Sequence, residues 1–477
     1  MFKRLFLAFI VCFSIFPGAC GHFFESNDYV DFTDFAVDKD GFIYVTGWFP
    51  GRIDFSIGAN KMVKNAGDNV FNFAARYDPD NNLDWVLTWE QYEVSHSSEG
   101  PATLVTSLTV DHAGDLYISG IFKGKRDLDF TDGVEERESS VSAQTGSNQI
   151  QSAYLTKIDS AGNFKWVRTW GNQEGIFVKS LILTDPDVLS VSGTYDGSTD
   201  FDPGPEEKIC NSSGPEDFFI SRFDPDGNFL SVTTWAGDIG QFEQFVIKQS
   251  GDGNLIFAGT TRNPFDIQPG PGEVIIKPAA EWCAIFAAEL DPTGQPSSVV
   301  FCDFPYSVRV RDVINDESGN FYITGDYSDY SSPLASQGRN SAAYSQYPGY
   351  SFLIKLNRPG SLEWERIWGG ERGGEGASVL QMKTDSTGNV IVFGTFYGTI
   401  DFDPGDGVNE NSAPVEPFKY YSSVFKPDGS FDKVEIWEFE EQPDFPIFSD
   451  SLVRYKMTAD ILIQMRYSGS PSSLYVY

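Results

Sequence analysis

A glycine that closes the second strand of a hairpin returns along this chain at a nearly fixed interval, and no other feature constrains the fold so tightly. It stands at Gly47, Gly120, Gly193, Gly259, Gly325 and Gly394, spaced by 73, 73, 66, 66 and 69 residues. A constant period of this size marks a repeat architecture and takes precedence over local readings. A seventh copy of the hairpin spans Ser451 to Tyr467, with Met465 in the glycine's place 71 residues after Gly394.

Each unit holds two hairpins. The first reads LTVDHAGDLYISG from Leu108, the second AYLTKIDSAGNFKWVRTWG from Ala153. Both join two β-branched and aromatic runs through an Asp-x-x-Gly turn. Second-hairpin copies begin at Phe71, Asp217, Cys283, Ser351 and Ser422. Four short strands per unit, punctuated by turn signals, predict one blade of a β-propeller. The expected fold is therefore all-β: a single β-propeller of seven four-stranded blades. The last is irregular, its fourth strand supplied from around Gly21 to Glu25, so that the two chain ends close it together. On this reading residues 1–20 are a signal peptide of lipoprotein type and residues 21–477 are a β-propeller of roughly 70-residue repeats.

A second motif follows the glycine strand: TDFDPG at Thr199–Gly204 and IDFDPG at Ile400–Gly405, with degenerate copies starting at Ile53, Leu128 and Phe265. The order D-x-x-G-(N/D)-x-Y-(V/I)-(T/S)-G, then DFDPG, then F-x-x-K-(L/I/F)-D-x-x-G-x-x-x-W resembles the bacterial β-propeller repeat called SBBP. The resemblance covers units one to six, and units four and five lack a full DFDPG. It implies the fold and an exported protein, and it brings no catalytic residues.

Lys3 and Arg4 precede an apolar stretch, Leu5 to Phe16, that is too short to span a bilayer. The stretch ends in Phe16-Pro-Gly-Ala-Cys20, which resembles a lipobox although Pro17 stands where that family has Leu. Lipidation of Cys20 is the implied fate, with Gly21 after it not retaining the protein at the inner membrane. The expected location is the outer membrane or cell surface; ordinary cleavage, leaving a periplasmic or secreted protein, is the alternative. With 34 Lys+Arg against 68 Asp+Glu, the net charge of −34 argues against nucleic acid and anionic membrane surfaces as partners. Membrane contact is expected through the N-terminal lipid only.

Chemistry-bearing constellations are sparse. His22, His96 and His112 are scattered, and no metalloprotease or serine-hydrolase motif occurs. The tryptophans Trp85, Trp89, Trp166, Trp170, Trp364 and Trp368 recur with the blade and read as packing. Asp-x-x-Gly turns satisfy their own backbone, and they lack the further ligands of a calcium loop. Asp200, Asp202, Asp401 and Asp403 are paired carboxylates that could hold a cation. Because the first Asp recurs in five blades, a repeated structural bond is the stronger reading, and no cofactor is expected unless calcium binds there. Cys283 and Cys302 flank the turn at Asp291–Gly294 and would face each other in a regular two-residue hairpin, as a disulfide or as two apolar strand thiols.

Loops that break the repeat are the expected functional ground: Gln91 to Ser107, Lys123 to Ser152 with the basic run KGKR, and Ser328 to Tyr350. The last carries Tyr330, Tyr344, Tyr347 and Tyr350 among Ser, Gln and Asn, which suits sugar or protein recognition. The sequence thus predicts a binding or scaffolding module for a protein or polysaccharide at the cell envelope. The alternatives are a carbohydrate-active lyase or glycosidase using loop carboxylates, and a calcium-stiffened structural protein.

Overall fold

The computed structural model describes residues 30–476 and the pair 25–26, apart from connecting segments of which the longest are 93–102, 140–150, 236–244, 329–348 and 438–453. All elements among the described residues are β-strands. They form antiparallel sheets in simple sequential order, here called blades one to six with strands A to D, and a three-stranded sheet follows. Blade one is Asp31–Val37, Ile43–Asp54, Val63–Tyr77 and Leu83–Tyr92; blade two is Thr103–Val110, Leu116–Phe122, Ser152–Ile158 and Phe164–Trp170. Blade three is Ile176–Thr184, Val188–Tyr195, Asp217–Phe223 and Phe229–Trp235. Blade four is Val246–Gln249, Leu255–Thr261, Cys283–Leu290 and Pro296–Phe304. Blade five is Ser307–Asn315, Phe321–Ser328, Tyr350–Leu356 and Leu362–Gly369; blade six is Gly376–Thr384, Val390–Asp401, Lys419–Phe425 and Phe431–Trp437. The four-stranded meander repeated at the period of the glycines is the β-propeller blade expected from the sequence.

The chain divides into two compact units. One comprises residues 1–237 with 447–477 and holds blades one to three and the last sheet; the other, 238–446, holds blades four to six. The last sheet joins Arg454–Met457, Leu462–Arg466 and Ser473–Val476, and its first strand lies against strand A of blade one. The strand expected from around Gly21 to Glu25 is placed differently where it is described: Glu25 and Ser26 pair with Asp54 and Ile53 at the far end of strand B of blade one. Strand B of that blade runs long, to Asp54, and offers a free edge there that the short segment takes.

Strands B and C carry the core. Leu116–Phe122, Asp217–Phe223, Leu255–Thr261 and Cys283–Leu290 are buried at every residue, on both faces. A sheet whose two faces are both covered reads as a continuous apolar run rather than an alternation. Strands D are less covered, mixing buried with half-buried and exposed residues, as in Phe164–Trp170 and Phe229–Trp235.

The recurring glycine sits in strand B opposite a β-bulge in strand A. In five blades the register slips there, leaving Thr33, Thr106, Lys179, Arg311 and Leu380 as the extra residue. The bulged strand bends its backbone over the glycine. A Cβ at Gly47, Gly120, Gly193, Gly325 or Gly394 would lie 1.9–2.1 Å from a strand-A carbonyl oxygen. The space above each glycine is filled by an aromatic ring from strand C: Phe73, Tyr154, Phe219, Phe352 or Tyr421. At Met465 the register with Arg454–Met457 runs without a slip.

Candidate functional site

In a repeat protein, groups that hold the fold recur at the period, so a site is sought where the period breaks. The Asp-x-x-Gly turns recur. Asp111 Oδ1 accepts the backbone N–H groups of Ala113 and Asp115 at 2.9 Å each, and Asp38, Asp224 and Asp385 do the same at their own turns. The glycine closes each turn with φ near +80°, a left-handed conformation that only glycine takes without strain.

The DFDPG motif forms a small hairpin between strands B and C. Asp200 Oδ1 accepts the N–H of Asp202 at 3.1 Å and of Lys208 at 2.8 Å, and Asp401 Oδ1 accepts those of Asp403 and Asn409 at the same distances. Asp54, Asp127 and Asp266 make the same two bonds, to the residues two and eight positions on. Asp202 and Asp403 each bind one further amide, of Gly204 and Gly405. The residue after the first Asp plugs the core: Phe55, Leu128, Phe201, Ile267 and Phe402 are fully buried. In blade two this corrects the alignment by two residues, since Asp127-Leu128 rather than Asp129-Phe130 fills the motif. Phe130 instead stacks on Trp89, ring centroids 3.9 Å apart. Among the described residues no group of three or more His, Cys, Asp or Glu side chains converges as a metal site would require.

The small hairpins also carry exposed aliphatic side chains: Met62, Val134 and Ile209 in one unit, Val274, Ile275 and Val408 in the other.

A third constellation resembles an active site and is structural. The Tyr117 hydroxyl donates to Asp111 Oδ2 at 3.0 Å; Lys157 Nζ lies 3.0 Å from Asp115 Oδ2 and 4.9 Å from the centroid of the Tyr117 ring. Blade one repeats it with Asp38, Tyr44 and Arg76, and blade five with Asp316, Tyr322 and Lys355. The same three blades carry a strand-D tryptophan packed on the C–D turn glycine of the next blade, Trp85 on Gly162, Trp166 on Gly227 and Trp364 on Gly429. Trp85 and Trp364 also donate through Nε1 to Ser160 O and Pro427 O. Burial pushes the Tyr44, Tyr117 and Tyr322 hydroxyls above their ordinary range, so they donate rather than ionise.

Blade five breaks the period. Its bulge residue is Arg311, whose Nε donates to Asp326 Oδ2 at 2.6 Å. Asp326 is fully buried, and it also accepts the Val379 N–H at 2.7 Å and the Ser378 hydroxyl at 3.2 Å. The corresponding positions after the other glycines hold Trp48, Ile121, Thr194, Thr260 and Thr395. Burial raises the Asp326 carboxyl above its ordinary value, while Arg311, the Val379 amide and Ser378 oppose it. Beside it Asp312 accepts Lys248 Nζ and the Met382 N–H, each at 2.7 Å. A buried carboxylate with a specific cationic partner is a marker of functional ground. Neither Arg311 nor Asp326 carries a sequence motif; an acid directly after the recurring glycine, where the five other copies hold Trp, Ile or Thr, is the signal that would have found Asp326.

The sequence-based candidates fall as follows. Cys20, Tyr330, Tyr344 and Tyr347 lie outside the described residues. Tyr350 belongs to strand C of blade five, half-buried and stacked on Tyr327 with centroids 5.1 Å apart, so it is packing rather than loop surface. The KGKR run is tied into the small hairpin of blade two, where Lys125 pairs with Glu136 at 2.6 Å. The disulfide is corrected. Leu290 pairs with Pro296 and, past a bulge, Glu289 with Ser298, which sets Cys283 opposite Phe304 and Cys302 opposite Ile285. Both thiols are free, and burial pushes Cys302 up to about 12.

No protein-family model matches the chain, and no curated protein matches it by sequence. Among solved structures, it is similar to a catalytically inactive virginiamycin B lyase variant from Staphylococcus aureus with quinupristin, at 10% identity and TM-score 0.32, over 77% of this chain and 93% of that one. A protein of unknown function from Bacteroides caccae matches at 12% identity and TM-score 0.24, over 63% of this chain and 91% of that one.

Proposed function

We propose that this chain is a binding module of the bacterial envelope, built of SBBP-like blades, that recognises a protein or polysaccharide through side chains breaking the repeat. The observation that carries the reading is the division of labour among its charged groups. The recurring Asp, Tyr, Lys and Trp residues serve turns and blade seams, whereas Asp326 stands where the five other copies hold Trp, Ile or Thr. Its cation Arg311 sits on a bulge that elsewhere carries Thr33, Thr106, Lys179 or Leu380, and only blade five sets a buried acid at the position after the glycine to pair with it. A rigid scaffold bearing a few unrepeated polar groups is how binding sites are placed on repeat folds. The leader fits export, with Cys20 as the lipid attachment site and an outer-membrane or cell-surface location. Globomycin treatment of cells expressing the chain tests that step: accumulation of an uncleaved, unlipidated form supports it, and unchanged processing rejects it. Binding is tested by thermal unfolding of residues 22–477 against cell-wall and other polysaccharides, since a ligand that prefers the folded state raises the midpoint. A shift with one glycan supports a glycan-binding module; a flat response to the whole panel turns the reading to a protein partner.

A further inference from the structure

We infer that Arg311 is a carboxylate receptor, held in place by Asp326, and that its ligand is a uronic-acid residue of an otherwise uncharged saccharide; the inference rests on the binding reading above and names its ligand class. Arg311 is exposed, with 39% of its side chain accessible, while Asp326 is 1% accessible. The bond between them uses Nε. Among the described residues the two terminal amino groups of the guanidinium make no hydrogen bond. The planar edge they form has the geometry that takes two carboxylate oxygens side by side. A β-bulge re-aims the residue it carries, and the buried acid then restricts the long side chain, lowering the ordering cost of binding.

Asp326 itself bonds across the seam to blade six, accepting the Val379 amide and the Ser378 hydroxyl, and these bonds leave the outer edge of Arg311 unused. Five other blades hold Trp, Ile or Thr at the Asp326 position, and Asp312 already ties blade five to blade six through the Met382 amide. A buried carboxylate that can be replaced by neutral residues is a poor source of stability. Two residues before Arg311, the exposed Arg309 gives the same strand a second cation. The net charge of −34 sets the ligand's own charge. Polyanions are repelled at long range, whereas a single carboxylate meets the local field of Arg311 within a Debye length of about 10 Å.

The test is titration calorimetry of residues 22–477 with an aldotriouronic acid, one glucuronic acid on two neutral xyloses, and with its methyl ester, which keeps the sugar and removes the charge. The expected result is affinity for the acid roughly ten-fold or more above the ester, as one charge-assisted pair supplies, weakening as salt rises. Arg311→Ala should bring the acid down to the ester's level and, because it strips buried Asp326 of its cation, lower the unfolding midpoint as well. The double variant Arg311→Ala with Asp326→Thr, the residue blade six holds there, should lose the preference with the midpoint largely restored. Asp326→Asn, a change in a positioning residue, should narrow the acid-to-ester preference although Arg311 remains. Equal binding of acid and ester, or an Arg311→Ala variant that keeps the preference, overturns the inference while leaving the binding reading in place. No binding of either sugar overturns it as well, and the wider glycan panel then decides the binding reading separately.

Discussion

At the scale of single residues, the glycine opposite the bulge is fixed by contact rather than by backbone angle. A Cβ at Gly193 would lie 1.9 Å from the Phe177 carbonyl oxygen, which no rotation of a side chain relieves. Gly193→Ala should therefore destabilise by roughly 3 kcal/mol, as overpacking against backbone does. Gly349→Ala, with no atom within 4 Å of the new Cβ, should be near neutral. Urea unfolding of both variants checks the pair. The turn acids make a second prediction. Burial would raise Asp159, but Lys165 and the Asn163 amides hold it at about 2, and Thr387 and Asn389 do the same for Asp385. A folded value below the ordinary 3.8 means stability that is present above that pH and is lost as pH falls towards 2. Asp326, raised by burial, has the opposite sign: its contribution is present below 3.8 and is lost as pH rises through its folded value. The unfolding midpoint should drop between pH 4 and 2, less steeply in Asp159→Asn and Asp385→Asn; an unchanged slope refutes this use of the turn acids.

At the scale of the element, the box of Asp, Tyr, cation and Trp behaves as one unit. Blades one, two and five have all its parts, whereas blade six has Ile391 and Val424 at the Tyr and cation positions. An ion pair and its apolar replacement are alternative solutions, and mixtures of the two leave a buried polar group without a partner. Tyr117→Ile and Lys157→Val should each destabilise blade two, and the double variant should cost less than their sum by about 1 kcal/mol. Additive effects in the double-mutant cycle would show that the residues act separately. This element also marks the limit of the sequence reading. Strand order and turns were legible because Asp-x-x-Gly and alternating runs are local signals. The bulges were not, since Thr33, Thr106 and Leu380 carry no common side chain. The slip at Glu289/Leu290 that separates Cys283 from Cys302 was equally invisible, and so was the true frame of the motif in RDLDFTDG.

At the scale of the whole molecule, the acidic composition is spread through turns and hairpins, where the first aspartate of each pair gives one oxygen to two backbone amides. Those amides compete with any cation for the same lone pairs. The unfolding midpoint should therefore coincide in calcium and in chelator, and a rise in calcium that disappears in Asp200→Asn and Asp401→Asn would overturn this. The candidate site was less legible than the fold, because Arg311 and Asp326 lie far apart in meaning until the bulge and its glycine bring strands A and B of blade five together. One consequence concerns behaviour in solution. Met62, Val134, Ile209, Val274 and Val408 place a solvent-facing aliphatic group on each small hairpin, a sticky feature repeated along a chain whose surplus of carboxylates keeps copies apart. That protection is titratable: near pH 4.3, where the net charge of the sequence vanishes, turbidity should peak, and turn acids such as Asp159 and Asp385, held at about 2, keep their charge there while other carboxylates lose theirs.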